Sequence, residues 1–110
     1  MKKSCKRRDA RSNATDLPSR AESELIEAAL YYEGRVTTLG VQFLNETDRA
    51  VAMILEAPER WRIIEEGVRS YSMARFPYAV YYRDFPNHLH ILAFKHHRRH
   101  PDYWRYRISE

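Results

Sequence analysis

Composition excludes disulfides from this fold. Cys5 is the only cysteine among 110 residues, so no bond can form within the chain, and a reducing cytoplasmic setting is expected. Apolar runs are short, and none approaches the roughly 20 residues that a membrane-spanning helix needs. No apolar core follows the basic N-terminal stretch (Lys2, Lys3, Lys6, Arg7, Arg8, Arg11), which argues against a secretory signal. Internal repeats and low-complexity tracts are absent as well. What is present is the composition of one folded domain, 44% hydrophobic and 13% aromatic. The chain is large enough for a single core and too small for two.

The net charge of +4 is unevenly placed. Residues 1–20 carry seven Lys/Arg against Asp9 and Asp16, and residues 95–110 carry five against Asp102 and Glu110. Between them, 21–94 hold seven arginines against eleven acids. Cationic ends suit nucleic acid or a negatively charged protein partner, and charge alone does not choose between them.

Residues 1–18 read as a basic N-terminal arm, either disordered or carrying a short first strand, with Leu17 its only apolar anchor. A domain over 19–107 follows. Ser19 and Glu22, three apart directly after Pro18, predict a capping box at the start of a first helix. Leu25, Ala29 and Tyr32, flanked by Ile26, Ala28 and Leu30, give that helix an apolar face, and Gly34 marks its end. A second helix is predicted from Thr37-Thr38 to Ala57, stopped by Pro58. Val41, Leu44, Val51 and Leu55 form its stripe, widened by Phe43, Ala50 and Ile54 into a core-facing surface. The stretch 58–66 reads as irregular. From Gly67 the period changes from 3.6 to 2, which predicts strands over 68–75, 78–83 and 88–94, with turns at Pro77 and at Asp84-Phe85-Pro86-Asn87. The expected fold is α+β: a helical hairpin packed on a small antiparallel sheet, in the order β-α-α-β-β-β with the first strand short or missing.

The stretch 75–104 carries most of the functional signal. Its alternating aromatic and aliphatic residues run into a cationic, histidine-rich tail closed by Tyr103 and Trp104. The candidate binding residues are Arg69, Arg75, His97, Arg98, Arg99 and Tyr103, facing a polyanion or an acidic partner. Five histidines invite a metal, with His88 and His90 on one strand face and His96 and His100 four apart. Lys95, Arg98 and Arg99 repel a cation locally, and Cys5 is remote, so neither a metal nor another cofactor is expected. Cationic neighbours lower the pKa of Cys5, yet no base or resolving thiol accompanies it. The N-terminal KKSCKRR cluster reads as a solubilising terminus before it reads as a nucleic-acid arm.

With these residues placed, the chain resembles the RelE/ParE superfamily of toxins from type II toxin–antitoxin modules, and most closely its ParE-type, plasmid-stabilisation branch. The matching text is EAALYYE at 27–33, LGVQFLNETDRAV at 39–51, APERW at 57–61, GVRSYSMARFPYAVYYR at 67–83 and ILAFKHHRRHPDYW at 91–104. The resemblance implies a cytoplasmic toxin that arrests growth and is neutralised in a hetero-oligomer by a cognate antitoxin, whose disordered segment wraps it. It also implies a macromolecular target and no membrane. That target is DNA gyrase in the ParE branch, or mRNA on the ribosome in the RelE branch. Two features depart from the family. The short apolar strand that normally precedes the first helix reads SNATDLP here, which leaves room for a decayed, non-toxic relative. RelE-type nucleases carry an arginine one residue after the tyrosine of the middle strand, and Ala79 stands at that position. Metal-independent RNA cleavage needs a base, an acid and cations for the phosphate. Arg69, Arg75, His97, Arg98 and Tyr103 would serve only if the tail folds back over the sheet. The expectation is therefore a binding toxin rather than an enzyme.

Overall fold

The computed structural model describes residues 15–65, 67–99 and 104. Its elements are β1 (Thr15–Asp16), α1 (Ser19–Arg35), α2 (Leu39–Glu56), β2 (Arg62–Glu65), β3 (Val68–Ser72), β4 (Tyr78–Phe85) and β5 (His88–His96). The sheet order is β1-β5-β4-β3-β2. Neighbouring strands from β2 to β5 are antiparallel, while β1 runs parallel to β5. The architecture is the expected helical hairpin on a small sheet, with the first strand short but present. It is mixed rather than purely antiparallel, because a strand that leads directly into α1 has to enter alongside β5 in the same direction.

One strand was not expected. Arg62–Glu65 pairs antiparallel with β3 at the sheet edge, in a stretch that reads as irregular. Four residues with Arg62 and Glu65 at the ends carry little strand preference, and the ladder to β3 supplies what propensity does not. Gly67 makes the return to β3 at φ 78, in the left-handed region that suits a residue without Cβ. Pro86 and Asn87 form the two-residue link between β4 and β5, where Phe85 pairs with His88.

The capping box does not form. Pro18 occupies the N-cap position with extended backbone and Ser19 is already helical; no side chain caps α1, and the Glu22 N–H donates to the Pro18 carbonyl at 2.9 Å. The helix boundary is set by proline geometry instead. At the other end of the hairpin a carboxylate joins the two helices. Glu33, in the last turn of α1, accepts the Thr38 N–H at 2.8 Å and the Gly40 N–H at 2.9 Å, so it caps α2 from outside. These backbone donors hold its pKa below the ordinary value of 4.5. Gly40 is required by proximity, because a Cβ there would overlap the Ala29 carbonyl oxygen and lie 2.9 Å from Glu33 Cβ.

The main core lies between the hairpin and one face of the sheet. It joins Ala21, Ala28 and Ala29 of α1 and Phe43, Ala50 and Ile54 of α2 to Val80, Tyr82, Leu89, Ile91 and Phe94 of the sheet. Tyr32, Phe43, Phe76 and Tyr78 form a ring cluster at one end, with centroids 4.9–6.4 Å apart. A smaller core occupies the opposite face: Val68, Leu92, Ala93 and the buried Trp104, whose ring meets Tyr81 edge-on at 5.3 Å. An irregularity in register between Tyr81 and Tyr82 makes both cores possible. It shifts the alternation of β5, so that Leu89, Ile91 and Phe94 reach one core while Leu92 and Ala93 reach the other.

The α2 stripe is narrower in the structure than the sequence implies. Phe43, Ala50 and Ile54 are buried and Val51 and Leu55 are half-buried, whereas Val41 and Leu44 are exposed. On α1, Ile26 and Leu30 also face outward. The two helices carry more apolar width than this core covers.

Two outcomes follow from the hairpin geometry. Gly40→Ala should cost about 1–3 kcal/mol, measured as a lowered urea midpoint, because backbone rather than a flexible side chain opposes the new Cβ. Glu33→Gln should destabilise the chain at neutral pH and much less in acid. Since the folded carboxylate ionises below 4.5, its contribution is complete above that value and is lost as pH falls through the lower, folded one. Thermal midpoints of the two proteins should converge as the pH drops through that range.

Candidate functional site

The candidate residues separate into two groups. Arg69 and Arg75 each serve another part of the chain. Arg69, on β3, donates to the Trp61 carbonyl at 2.8 Å, which fixes the approach to β2, where Trp61 packs on Tyr71 with centroids 4.6 Å apart. Tyr82 anchors the same approach by donating its hydroxyl to the Pro58 carbonyl at 2.7 Å, and burial pushes its phenol up to about 12. Arg75 reaches α2, donating to Gln42 Oε1 at 3.0 Å and standing 3.8 Å from the buried Glu46 carboxylate. Arg49 approaches the same carboxylate at 3.7 Å. Glu46 thus has its charge compensated from both sides.

His97, Arg98 and Arg99 form the second group. All three are exposed, in a turn directly after β5. The organiser of this turn is His96, a role that sequence reasoning did not assign to it. The Arg98 N–H donates to His96 Nδ1 at 3.0 Å, and the Arg99 N–H donates to the His96 carbonyl at 3.0 Å. The His97 N–H donates to the Pro77 carbonyl at 2.9 Å, tying the turn to the loop before β4. With Nδ1 accepting, the ring proton of neutral His96 sits on Nε2. The ring stands edge-on to Tyr78 at 5.0 Å. Burial, then the charges of Arg98, His97, Lys95 and Arg99, lower its pKa below the ordinary 6.5. A signal for this role was present in the sequence: a histidine at the end of a strand, two residues before an arginine whose backbone must turn.

Beside this turn lies a small cavity of about 120 Å³ whose lining includes Glu24, Glu27, Tyr31, Tyr78, His96 and Arg99. Glu24 accepts the Phe94 N–H at 3.1 Å, a donor on the outer edge of β5 beyond the two residues that β1 covers. Burial, more than the neighbouring phenols, raises the Tyr78 pKa. Lys95 points to the other sheet face. It is buried, its ammonium donates to the His96 carbonyl at 3.2 Å, and burial lowers its pKa.

The chain does return to the sheet after β5, at Trp104, whose buried indole packs with Val68, Leu92 and Ala93 on that face. Ala79, paired between Ser72 and Lys95, is buried as well. Among the histidines, His90 pairs with Asp16 at 2.6 Å and His88 stacks on Phe85 at 4.7 Å. Among the described residues no three His, Cys, Asp or Glu side chains are grouped to hold a metal. No described helix is long and apolar enough to cross a membrane. Tyr103, His100, Cys5 and the basic N-terminal cluster lie outside the described residues.

A family profile, described as ParE toxin of type II toxin-antitoxin system, parDE, matches residues 16–101. This chain belongs to the ParE toxin family. Membership implies an antitoxin partner. A solved structure, the chromosomal ParDE TA system from P. aeruginosa, shares the fold at a TM-score of 0.67 and 15% identity. The match covers 76% of this chain and 94% of that one. A search of curated proteins gave no match. The ParE match spans the hairpin, all of β2 to β5 and the basic turn.

The two groups should behave differently when removed. Arg75→Ala should cost about 1 kcal/mol of stability, since it leaves Glu46 with one long ion pair, whereas Arg98→Ala should leave the urea midpoint nearly unchanged. His96 should titrate below 6.5 by NMR. Its folded pKa is depressed, so the unfolded chain takes up the proton first, and stability should decline as pH falls below 6.5.

Proposed function

We propose that this chain is the toxin of a type II toxin–antitoxin module, acting in the cytoplasm by binding an essential macromolecular target. DNA gyrase, the target of the ParE branch, is the preferred one. The observation that carries this reading is the exposed basic turn His97–Arg98–Arg99, tied to the end of β5 by hydrogen bonds to His96 and Pro77. A cationic turn fixed on a sheet is pre-organised for an acidic surface, since little ordering remains to oppose binding. Tyr103 is assigned to the same surface on the strength of its place in the sequence. Arg69 and Arg75 act on it through the scaffold.

Ribosome-dependent mRNA cleavage is the weaker reading. Two of its candidate cations, Arg69 and Arg75, are already committed to Trp61 and to α2. Ala79 supplies no phosphate ligand where a nuclease would carry an arginine, and Trp104 occupies the adjoining face. A missing first strand would have favoured a decayed, non-toxic relative, and the two-residue β1 takes away that support.

Expression of the chain without its antitoxin should arrest growth with filamentation and gyrase-dependent DNA breaks while bulk mRNA persists. Arg98→Ala with Arg99→Ala should abolish the arrest while the protein stays folded. Rapid mRNA loss with normal supercoiling would transfer the assignment to the nuclease. Normal growth with folded protein present would refute both.

A further inference from the structure

The Glu46 carboxylate of α2 is buried without a hydrogen bond to a described residue. Glu46 is 8% exposed, and its side-chain contacts among the described residues are the ion pairs with Arg49 at 3.7 Å and Arg75 at 3.8 Å. Both exceed hydrogen-bond distance, and both are made through Oε2. The donors that satisfy Oε1 therefore come from outside the fold, through the cavity that this side chain lines.

That cavity, of about 310 Å³, lies in the seam between α2 and the end of β3. Glu46 is its buried end, and the exposed guanidiniums of Arg49 and Arg75 stand at its open end. Arg75 spends Nη2 on Gln42 and turns Nη1 toward Glu46, and a guanidinium has further donors to give. The remaining wall is Ala50, Met53, Tyr71, Met73 and Ala74. An apolar wall with a few convergent polar groups is the usual form of a small-molecule site.

The order of charge selects the ligand. A cation alone would reach Oε1 but be opposed by two guanidiniums, and an anion alone would be opposed by Glu46. A neutral apolar molecule would seal Oε1 from water and return no hydrogen bond. Because the carboxylate and the guanidiniums are less than 4 Å apart, a ligand that satisfies both needs adjacent charges of opposite sign. An ammonium and a carboxylate on one carbon have that spacing, and the two ends of a peptide do not.

We propose that this cavity binds a free α-amino acid with an apolar side chain. Its ammonium donates to Glu46 Oε1, its carboxylate is held by Arg49 and Arg75, and its side chain packs on Met53, Tyr71 and Met73. Thioether side chains adapt to the shape they meet, so leucine, methionine and phenylalanine all suit the wall, whereas aspartate or lysine would bury a second charge against it. An occupant joins α2 to the segment leading to Phe76, so binding should raise the thermal midpoint. This site goes beyond the toxin reading and does not depend on it.

The test titrates the full chain with L-leucine, L-methionine and L-phenylalanine, and reads saturable NMR shifts of the Met53 and Met73 methyl groups. N-acetyl-L-leucine lacks the ammonium and L-leucinamide the carboxylate, and each should bind at least about tenfold more weakly than leucine. Glu46→Gln keeps the side-chain shape and should weaken leucine to a similar degree. Arg49→Ala, at an exposed position, should do the same while circular dichroism shows the fold intact, and it decides the matter if Glu46→Gln does not fold. No saturable shift at millimolar amino acid, equal affinity for the blocked forms, or unchanged affinity in folded Arg49→Ala would overturn the proposal. Growth arrest plays no part in this readout, so failure of the toxin reading leaves the site standing.

Discussion

The ring cluster of Tyr32, Phe43, Phe76 and Tyr78 holds the two layers in register. One ring comes from each helix, one from the loop after β3 and one from the start of β4. Offset and edge-on ring pairs are directional in a way aliphatic contacts are not, so the cluster fixes orientation as well as distance. Tyr78 also receives the edge of His96, whose backbone and imidazole accept the N–H groups of Arg99 and Arg98. A continuous path of packed rings thus leads from the helical hairpin to the exposed cationic turn. The turn's shape is a consequence of the core, and His97, Arg98 and Arg99 are exposed on it.

The opposite end of the hairpin depends on hydrogen bonds. Glu33 closes the interhelical link through two backbone donors, and Gly40 allows α2 to approach the Ala29 carbonyl. Clamped at the link by a carboxylate and at the sheet by aromatic rings, the hairpin is a rigid two-helix platform. Its buried side is built mainly of alanine, with Phe43 and Ile54 as the large members. Small residues let the helices sit close to one another and to the sheet, and the larger aliphatics Ile26, Leu30, Val41 and Leu44 are displaced to the outside. The narrow core and the apolar outer face have a single cause.

That cause also sets what the sequence could reveal. The hairpin, the strands β3 to β5 and the turns between them were legible, because periodicity and proline reported them directly. The width of the core was not: Val41 and Leu44 satisfy the helical period as well as Phe43 does, and only the Ala29–Gly40 approach decides which ridge faces inward. Strand β2 was hidden because its order comes from pairing with β3. The capping box was wrongly expected because Pro18 starts α1 at a position where Ser19 can no longer cap. At the site, exposure of Arg98 and Arg99 was legible from charge. The diversion of Arg69 and Arg75 was not, since their acceptors, the Trp61 carbonyl, Gln42 and Glu46, lie 8, 33 and 29 residues away in the chain.

Separation of charge between the two layers then acquires a physical meaning. Residues 19–56 hold three arginines against seven acids, and 57–99 hold eight Lys/Arg against four. A helical layer at net −4 and a sheet layer at net +4 attract one another within the chain, and one point where opposite charges meet is the Glu46 carboxylate, shared between Arg49 of α2 and Arg75 beside the sheet. The same partition makes the two outer surfaces dissimilar. A ligand for the basic turn is repelled by the hairpin. The acidic and basic surfaces meet at the small cavity where Glu24, Glu27 and Tyr31 of α1 adjoin His96 and Arg99, so a chain crossing from the hairpin to the turn would meet both signs of charge within one helix width.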